Sequence, residues 1–344
     1  VVAMLAGRIV HRIGSRLPIV ISGFCVPLLP VSFGVVPNQP AFMGCLFSFG
    51  FAGGLLDVAM NAQAVYTERG FGRPLMTSFH ACYSFGALAG GLIGGLFAWA
   101  QIRPSVNFAI VGAPVACLAL VAGRWLLPDE PEAAAPAREH AAPGDRRRPV
   151  VWRTAPWRTA LTSPLAVLGV LSLCSLLGEG AADGWSAVYL RDNLGTSAWF
   201  AAFGFAAFSV TMATGRLAGD RLALRFGPAA LVRGGGLLAA FGMAGALVSP
   251  VPAGTIAGFA VYGAGLSCIF PQLLSAAGSV HPGRTASGIA AVAGMGYVGL
   301  LSGPVLIGGL ASVAGLTLAL GLPALLALGI AAGAGVAMPR RAPR

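Results

Sequence analysis

Acidic and amide side chains inside long apolar runs are the residues of this sequence that could do chemistry. Asp57 lies in the middle of the apolar stretch Phe42–Ala64, where a carboxylate costs roughly 2.5–3.5 kcal/mol on membrane-insertion scales. Asn61 follows four residues later, on the same helix face, and Gln63 lies nearby in sequence. Asp57 therefore either faces an aqueous cavity and binds a substrate or a proton, or is a structural carboxylate that holds helices together.

A second acidic pair, Glu179 and Asp183, also has a spacing of four residues. Two acids one helical turn apart repel each other when both are ionised, which suits a proton carrier. The pair could instead form a solvated rim near one end of its helix, with Arg191 and Asp192. Trp185 offers an aromatic wall for stacking a sugar ring, or packs in the core.

Two further polar residues fall in apolar segments. His80 could relay a proton or donate to a substrate, or it could pack between helices. Gln272 follows Pro271, so its amide would lie where a broken helix exposes backbone carbonyls. The alternative for Gln272 is an ordinary interhelical hydrogen bond.

The composition requires these residues to be placed by membrane helices. Hydrophobic residues make up 56% of the 344 residues and charged residues 10%, whereas a soluble domain carries about 25% charged residues. We expect an all-α membrane protein with about ten complete spans. The predicted spans are Leu17–Val36, Phe42–Ala64, Thr77–Ala100, Val106–Leu127, Leu161–Leu190, Trp199–Leu217, Ala229–Val248, Ala253–Ala277, Ala286–Ala311 and Gly315–Ala337.

Several function classes are excluded or disfavoured by the motifs. The net charge of +11 comes from arginines in short loops and forms no basic face, so we expect no nucleic-acid partner. The six cysteines stand singly in apolar stretches without a C-x-x-C pair, which predicts buried hydrophobes and no metal site. No Walker loop, G-x-S-x-G or H-E-x-x-H occurs. We therefore expect neither an enzyme nor a cofactor.

Loop charge predicts the orientation. Arginines concentrate in alternate loops, and the opposite loops contain only Arg103 and Arg191. By the positive-inside rule, the arginine-rich loops are cytoplasmic, so we expect a cell (inner) membrane protein with a cytoplasmic linker and C-terminus. Residues 128–160 are rich in Ala, Pro and charge and predict a tether. It divides the chain into an N-terminal bundle, residues 1–127, and a C-terminal bundle, residues 161–344.

A short cationic motif occurs twice and indicates that the two halves are related. Gly7-Arg8-Ile9-Val10-His11-Arg12-Ile13-Gly14-Ser15-Arg16 opens the chain, and Gly215-Arg216-Leu217-Ala218-Gly219-Asp220-Arg221-Leu222-Ala223-Leu224-Arg225 recurs in the second half. A repeat at this separation predicts two similar bundles. If the halves match, the first lacks one helix and most of a second.

Small-residue series also recur and predict close helix packing: Gly86, Gly90 and Gly94, then Gly299, Gly303 and Gly308.

These features resemble the major facilitator superfamily over essentially the whole chain. The stretch Gly54-Leu55-Leu56-Asp57-Val58-Ala59-Met60-Asn61-Ala62-Gln63, with Ser78-Phe79-His80 and Glu179-Gly180-Ala181-Ala182-Asp183-Gly184-Trp185-Ser186, is similar to the fucose-permease-related branch. The resemblance implies two bundles of six helices, twelve in all. It also implies that the repeated motif gates the cytoplasmic side. The implied gating residues are Gly7, Arg8, His11, Arg12 and Arg16, and then Gly215, Arg216, Asp220, Arg221 and Arg225.

The first copy of the motif departs from the family pattern at His11, where the family usually has Asp. The first-half clamp is therefore either weakened or pH-sensitive, because His titrates near neutrality. In the second half, Gly303-Pro304 resembles a signature of the superfamily's antiporters, but that signature belongs in the fifth helix, where Gly91 replaces the proline.

The resulting hypothesis is a monomeric secondary transporter that moves a small polar, sugar-like solute with protons by alternating access. Candidate substrate- or proton-binding residues are Asp57, Asn61, Gln63, His80, Glu179, Asp183, Trp185 and Gln272. The alternatives are a proton-driven exporter of the same fold and a membrane sensor or scaffold that transports nothing.

Overall fold

The computed structural model describes residues 2–127, 164–280 and 284–338. Over these ranges the regular structure is helical, without strands. The first half contains α1 (Val2–Ile13), α2 (Arg16–Leu28), α3 (Gln39–Phe71), α4 (Met76–Trp99) and α5 (Pro104–Ala122), and a short 3₁₀ segment, Leu29–Gly34, prolongs α2. The predicted tether, residues 128–160, lies outside the described residues.

The second half contains α6 (Pro164–Val188), α7 (Ala198–Phe226), α8 (Pro228–Val248), α9 (Pro252–Leu266), α10 (Ile269–Val280), α11 (Thr285–Ala314) and α12 (Leu316–Ala337). A π-helical turn, Tyr189–Asn193, prolongs α6. Helices α9 and α10 form one span, Pro252–Val280, that is interrupted at Ser267 and Cys268. Pro271 and Gln272 lie inside α10, four or more residues after the start of this interruption.

Within the described residues, nine helical segments are long and apolar enough to cross a membrane. They match nine of the ten predicted spans, and the tenth, Thr77–Ala100, forms α4. Large apolar side chains point outward from these helices, for example Leu301 (76% exposed) and Val313 (89%), which is unusual for a soluble protein and ordinary against lipid.

A glycine with positive φ lies inside the first copy of the repeated motif and two residues after Arg225 of the second. Gly14 has φ 82° and separates α1 from α2, and Gly227 has φ 84° and separates α7 from α8. A residue with a Cβ atom would cost roughly 1–2 kcal/mol in this left-handed region. The predicted span Trp199–Leu217 is too short, because the second copy of the motif lies inside α7 and the turn is confined to Gly227.

Glycines let α6 and α11 approach closely in the second half. A Cβ atom at Gly299 would overlap the Leu173 carbonyl, and one at Gly303 would lie 2.7 Å from the Leu177 carbonyl oxygen. This part of the small-residue prediction is confirmed. The same prediction for Gly86, Gly90 and Gly94 is wrong, because among the described residues no atom lies within 4 Å of a Cβ atom built at any of them. That side of α4 is exposed.

Helices α3 and α4 of the first half contact α10, and α3 also contacts α11. The most extensive contacts between the halves are two other helix pairs, α1 with α11 and α4 with α7. In the first pair, a Cβ atom at Gly7 would lie 2.6 Å from Ala290 Cβ. In the second pair, Gly219 packs against Thr77. Each copy of the motif therefore contributes a glycine to the contact with the opposite half, as expected for two related bundles.

Candidate functional site: a cavity between the two halves

A cavity of about 720 Å³ lies between the two halves. The first half supplies most of its wall from α3 and α4, and the second half supplies residues from α6, α7, α10 and α11. The wall is largely apolar, and its charged, imidazole, amide and phenol groups are few: Asp57, Asn61, Gln63, His80, Tyr83, Glu179, Arg216 and Tyr297. A mostly apolar pocket with a few polar groups is the usual form of a small-molecule site.

Asp57 and Asn61 share the cavity face of α3, as their spacing predicts. Asn61 Nδ2 donates to Asp57 Oδ1 at 3.1 Å and to the Asp57 carbonyl oxygen at 2.9 Å. From α11 in the other half, Tyr297 interacts with the Asp57 carboxyl group. The second carboxyl oxygen, Oδ2, is buried and has no hydrogen-bond partner among the described residues. A buried unpartnered carboxylate oxygen is costly, so it marks a place for a donor from a ligand or for a proton.

His80 extends this polar chain from α3 to α4. Its Nε2 atom lies 3.3 Å from Asn61 Oδ1, and its ring stands edge-to-face against Phe270 of α10, with centroids 5.8 Å apart. The structure thus places Asp57, Asn61 and His80 in one connected group that also contacts the second half. Sequence spacing joins the first two of these residues, and only the packing of α4 against α3 joins the third.

Glu179 and Arg216 form the second charged group of the cavity. Arg216 Nη2 lies 3.8 Å from Glu179 Oε1, and both side chains line the cavity. Glu179 is therefore an interior residue and not part of a rim. Asp183 is exposed, and so are Arg191 and Asp192, which pair with each other at 2.6 Å. Arg216, implied by the family resemblance to be a gating residue, lies in the wall of the cavity.

Three predicted site residues make structural contacts. Gln63 reaches the edge of the cavity, where it accepts a hydrogen bond from Ser15 Oγ at 2.6 Å and donates to the Leu127 carbonyl at 3.1 Å. Trp185 Nε1 donates to the Pro304 carbonyl at 3.0 Å, which joins α6 to α11. Gln272 Nε2 donates to Thr77 Oγ1 at 3.1 Å, an interhelical bond between the halves.

At the loop end of α3 and α4, two carboxylates cap the start of α4. Glu68 Oε1 accepts from the backbone N–H groups of Leu75 and Met76 at 2.8 and 2.9 Å. Asp220, from α7 of the other half, accepts from the N–H groups of Thr77 and Ser78 at 3.0 and 2.9 Å, and from the Ser78 hydroxyl. All four leading donors of the helix are thereby satisfied, which is favourable at the positive end of its dipole.

Further hydrogen bonds join the halves at the same end. Ser275 Oγ donates to Glu68 Oε2 at 2.6 Å. Arg69 Nη2 donates to the Gly278 carbonyl at 2.6 Å and to Thr285 Oγ1 at 3.1 Å. We call the contacts of Glu68, Arg69 and Asp220 with their partners the inter-half lock.

The remaining residues of the repeated motif lie near this end. Gly7 and Gly215 pack closely against neighbouring helices. His11 is half-buried. Five arginines of the motif are exposed: Arg8, Arg12, Arg16, Arg221 and Arg225. The Arg225 guanidinium lies over the Phe226 ring, 5.3 Å from its centroid.

Four residues of these groups are not evident from the sequence: Glu68, Arg69, Tyr297, and Ser84, whose Oγ accepts a hydrogen bond from Arg216 Nη1 at 2.6 Å. Glu68 and Arg69 looked like loop charges, because they follow the predicted end of the span at Ala64. No spacing rule connects an acid with the start of a helix seven or eight residues later. Ser84 and Tyr297 carry no charge and stood in apolar runs, so only the tertiary structure reveals them.

Two helical bundles around a central cavity that contains a few polar groups define a polytopic membrane transporter of the two-bundle type. A family model described as "Major Facilitator Superfamily" matches residues 1–304. The chain belongs to the major facilitator superfamily, as its motifs suggested, and is one of its multi-pass membrane transporters.

Individual relatives agree with this assignment. The chain is 34% identical to an uncharacterised MFS-type transporter of Yersinia pestis over 96% of this chain and 81% of the relative. It is 32% identical to the membrane protein MosC of Rhizobium meliloti, over 89% and 70% of the two chains. Among solved structures, it is similar to the MFS transporter FucP in the outward conformation, with a TM-score of 0.79 at 17% identity over 98% and 87% of the chains.

Proposed function

We propose that this transporter is a symporter that moves a small polar, sugar-like solute together with protons. The observation that carries the proposal is the unpartnered Oδ2 atom of Asp57, buried in the wall of a cavity between two bundles. An ionisable group at such a position is a binding site for a substrate or a proton by default. The solved structures of similar fold include a fucose:proton symporter of Escherichia coli and a proton:xylose symporter.

The contacts between the halves support alternating access. The inter-half lock joins the loop ends of α3, α4 and α7. Two further hydrogen bonds join the halves, one from Gln272 to Thr77 and one from Arg216, in the cavity wall, to Ser84. Loop arginines make the lock end cytoplasmic by the positive-inside rule. We infer that the protein is closed on the cytoplasmic side, with the lock as its gate, which agrees with the likeness to FucP in the outward conformation.

The test is gradient-driven uptake by the reconstituted full chain. Radiolabelled fucose, xylose and galactose are supplied to proteoliposomes with an acidic exterior, and a pH-sensitive dye reports proton entry. We expect accumulation of at least one sugar above its level without a gradient. Asp57→Asn removes the titratable oxygen and should abolish that difference. Asp192→Asn is the matched control, because Asp192 is exposed and bonded to its neighbour Arg191.

Three outcomes would contradict the proposal. Gradient-driven accumulation that persists in Asp57→Asn would remove Asp57 from the coupling. Efflux of a lipophilic cation such as ethidium, driven by the same gradient without uptake of any sugar, would favour the exporter. A chain that moves neither sugars nor cations under any gradient would favour a sensor or scaffold.

A further inference from the structure

Arg216 is the one guanidinium in the cavity wall among the described residues. It is 7% exposed, and burying a cation in an apolar wall is costly unless the cation has a function or close partners. The symport proposed above needs a proton site and does not need Arg216. The cation therefore calls for its own explanation.

The guanidinium is held in place by groups from both halves. Its Nη1 atom donates to Ser84 Oγ of α4 at 2.6 Å, and its Nε atom donates to the Ser267 carbonyl at 3.3 Å. The Nη2 atom has a weaker partner, the Met212 sulfur at 3.2 Å. The position of the positive charge is thus fixed before any ligand arrives, and preorganisation of this kind lowers the cost of binding.

The nearest carboxylate does not satisfy this cation. Glu179 Oε1 lies 3.8 Å from Nη2, whereas an Arg–carboxylate pair makes paired hydrogen bonds at about 2.7–2.9 Å. A guanidinium has five N–H donors, and three of those of Arg216 are used by the contacts above. The remaining donors are available to an oxyanion at the cavity wall.

We propose that Arg216 binds the carboxylate of an anionic, hydroxylated solute, which replaces Glu179 as the counter-ion of the guanidinium. This inference rests on the proposed symport and names the substrate class. A second anion beside Glu179 would be repelled, so Glu179 accepts one proton when the solute carboxylate arrives. No covalent bond changes. The group passes from Arg⁺ with Glu⁻ to Arg⁺ with neutral Glu and a bound anion, and its net charge is constant. One proton therefore accompanies one anion, without net charge movement at this group.

Other charged and titratable groups surround this pair on every side. Asp183 lies one turn along α6, and the remaining groups come from α9, α11, α4 and the α9–α10 break: Tyr262, Tyr297, His80 and Cys268. None of these is a second cationic side chain of Lys or Arg type. A cationic solute would be repelled by Arg216, and a neutral sugar would leave its spare donors without an acceptor.

The test compares three solutes that share one ring and differ in charge: galacturonate, galactose and galactosamine. Equilibrium binding of the radiolabelled compounds is measured on the purified full chain. We expect galacturonate to bind roughly 10- to 100-fold more tightly than galactose, the range given by one charge-assisted hydrogen-bonded contact. Arg216→Gln should remove this preference, and Arg216→Lys should keep part of it. Arg191→Gln, at an exposed arginine, should not change it.

The proton step has a separate readout. Galacturonate added to proteoliposomes should drive proton entry, and Glu179→Gln should lower the number of protons that enter with each galacturonate. Preference for galactose or galactosamine, a galacturonate preference that survives Arg216→Gln, or binding of none of the three would overturn the assignment. If Arg216→Gln lowers the unfolding temperature but leaves the binding of the three solutes unchanged, the role of Arg216 is structural. Coupled galactose uptake without a preference for galacturonate would contradict the assignment of Arg216 as an anion site but not the proposed symport. Tight galacturonate binding through Arg216 without proton movement would contradict both the symport and the protonation of Glu179, and would leave only Arg216 as the anion site.

Discussion

The gate proposed at the inter-half lock depends most directly on Asp220. Its carboxylate is buried, with the residue 8% exposed, and accepts three hydrogen bonds from Thr77 and Ser78 at the start of α4. Asp220 belongs to the second half and α4 to the first. Separation of the halves at this end must therefore break all three bonds.

The size of the effect follows from the bonds that Asp220→Asn would change. A hydrogen bond to a charged group contributes about 1.5–3 kcal/mol, and a neutral one about 0.5–1.5 kcal/mol. An asparagine keeps one acceptor oxygen and turns an NH₂ group towards backbone donors, so at least one bond is lost and the others become neutral. We expect a loss of about 3 kcal/mol in the preference for the closed arrangement, or roughly 100-fold in the equilibrium.

Cys268 provides the assay. It is 5% exposed and lies against Gly219, one residue before Asp220. A variant that keeps Cys268 and replaces the other five cysteines is reconstituted, and a maleimide that cannot cross the membrane is applied from the arginine-rich side. We expect Asp220→Asn to raise the labelling rate by one to two orders of magnitude. Asp192→Asn should not change it.

A second substitution tests whether the whole lock acts as a unit. Glu68→Gln removes the charge that caps Leu75 and Met76 and accepts from Ser275, so it should also raise labelling of Cys268. An unchanged labelling rate in Asp220→Asn, with an unfolding temperature equal to that of the parent, would refute the reasoning.

Two further predictions concern stability. Gln63→Ala should lower the unfolding midpoint in detergent by the equivalent of about 2 kcal/mol, because two hydrogen bonds from α3 to residues outside helices, at about 1 kcal/mol each, are lost. Asn61→Ala should impair coupled uptake more than stability. The reverse pattern would contradict the assignment of the two amides. Gly299→Ala should destabilise the protein by about 1–3 kcal/mol, because its Cβ atom would overlap the Leu173 carbonyl. Gly309→Ala on the same helix has open space around it and should not destabilise the protein. Equal unfolding midpoints for the two variants would show that stability does not depend on the close approach of α6 and α11.

The helices and the superfamily could be predicted because both depend on local information. Apolar runs of about 20 residues reveal spans wherever their partners lie. The same logic placed Asp57 and Asn61 on one face, since four residues make about one turn. Hydropathy alone predicts the wrong end for α7, because the chain becomes polar after Leu217 but the helix does not end there. The helix continues to Phe226, because Arg and Asp do not break a helix and the first breaker is Gly227.

The partners of buried polar groups could not be predicted, because they come from distant parts of the chain. Gln63 and Asn61 are two residues apart and chemically alike, yet one hydrogen-bonds Ser15 and Leu127 and the other Asp57. Which face of α3 meets the cavity is decided by the packing of α1, α2 and α4 around it. For the same reason, the sequence placed Arg216 in a gate, and the structure places it in the cavity wall.

The position of Arg216 links the cavity to the lock through a single helix. Arg216 and Asp220 are four residues apart on α7 and therefore share a face about 6 Å apart along the axis. Both contact α4, Arg216 at Ser84 in the cavity and Asp220 at Thr77 and Ser78 in the lock. Because α7 is continuous between them, it cannot swing away from α4 at one point and stay bound at the other. The contacts of Arg216 with Ser84 and of Asp220 with Thr77 and Ser78 must therefore break together when the halves separate at this end. We propose on this ground that the second copy of the motif couples the cavity to the gate, and that the first copy, with His11 at the equivalent position, lacks the carboxylate to do the same.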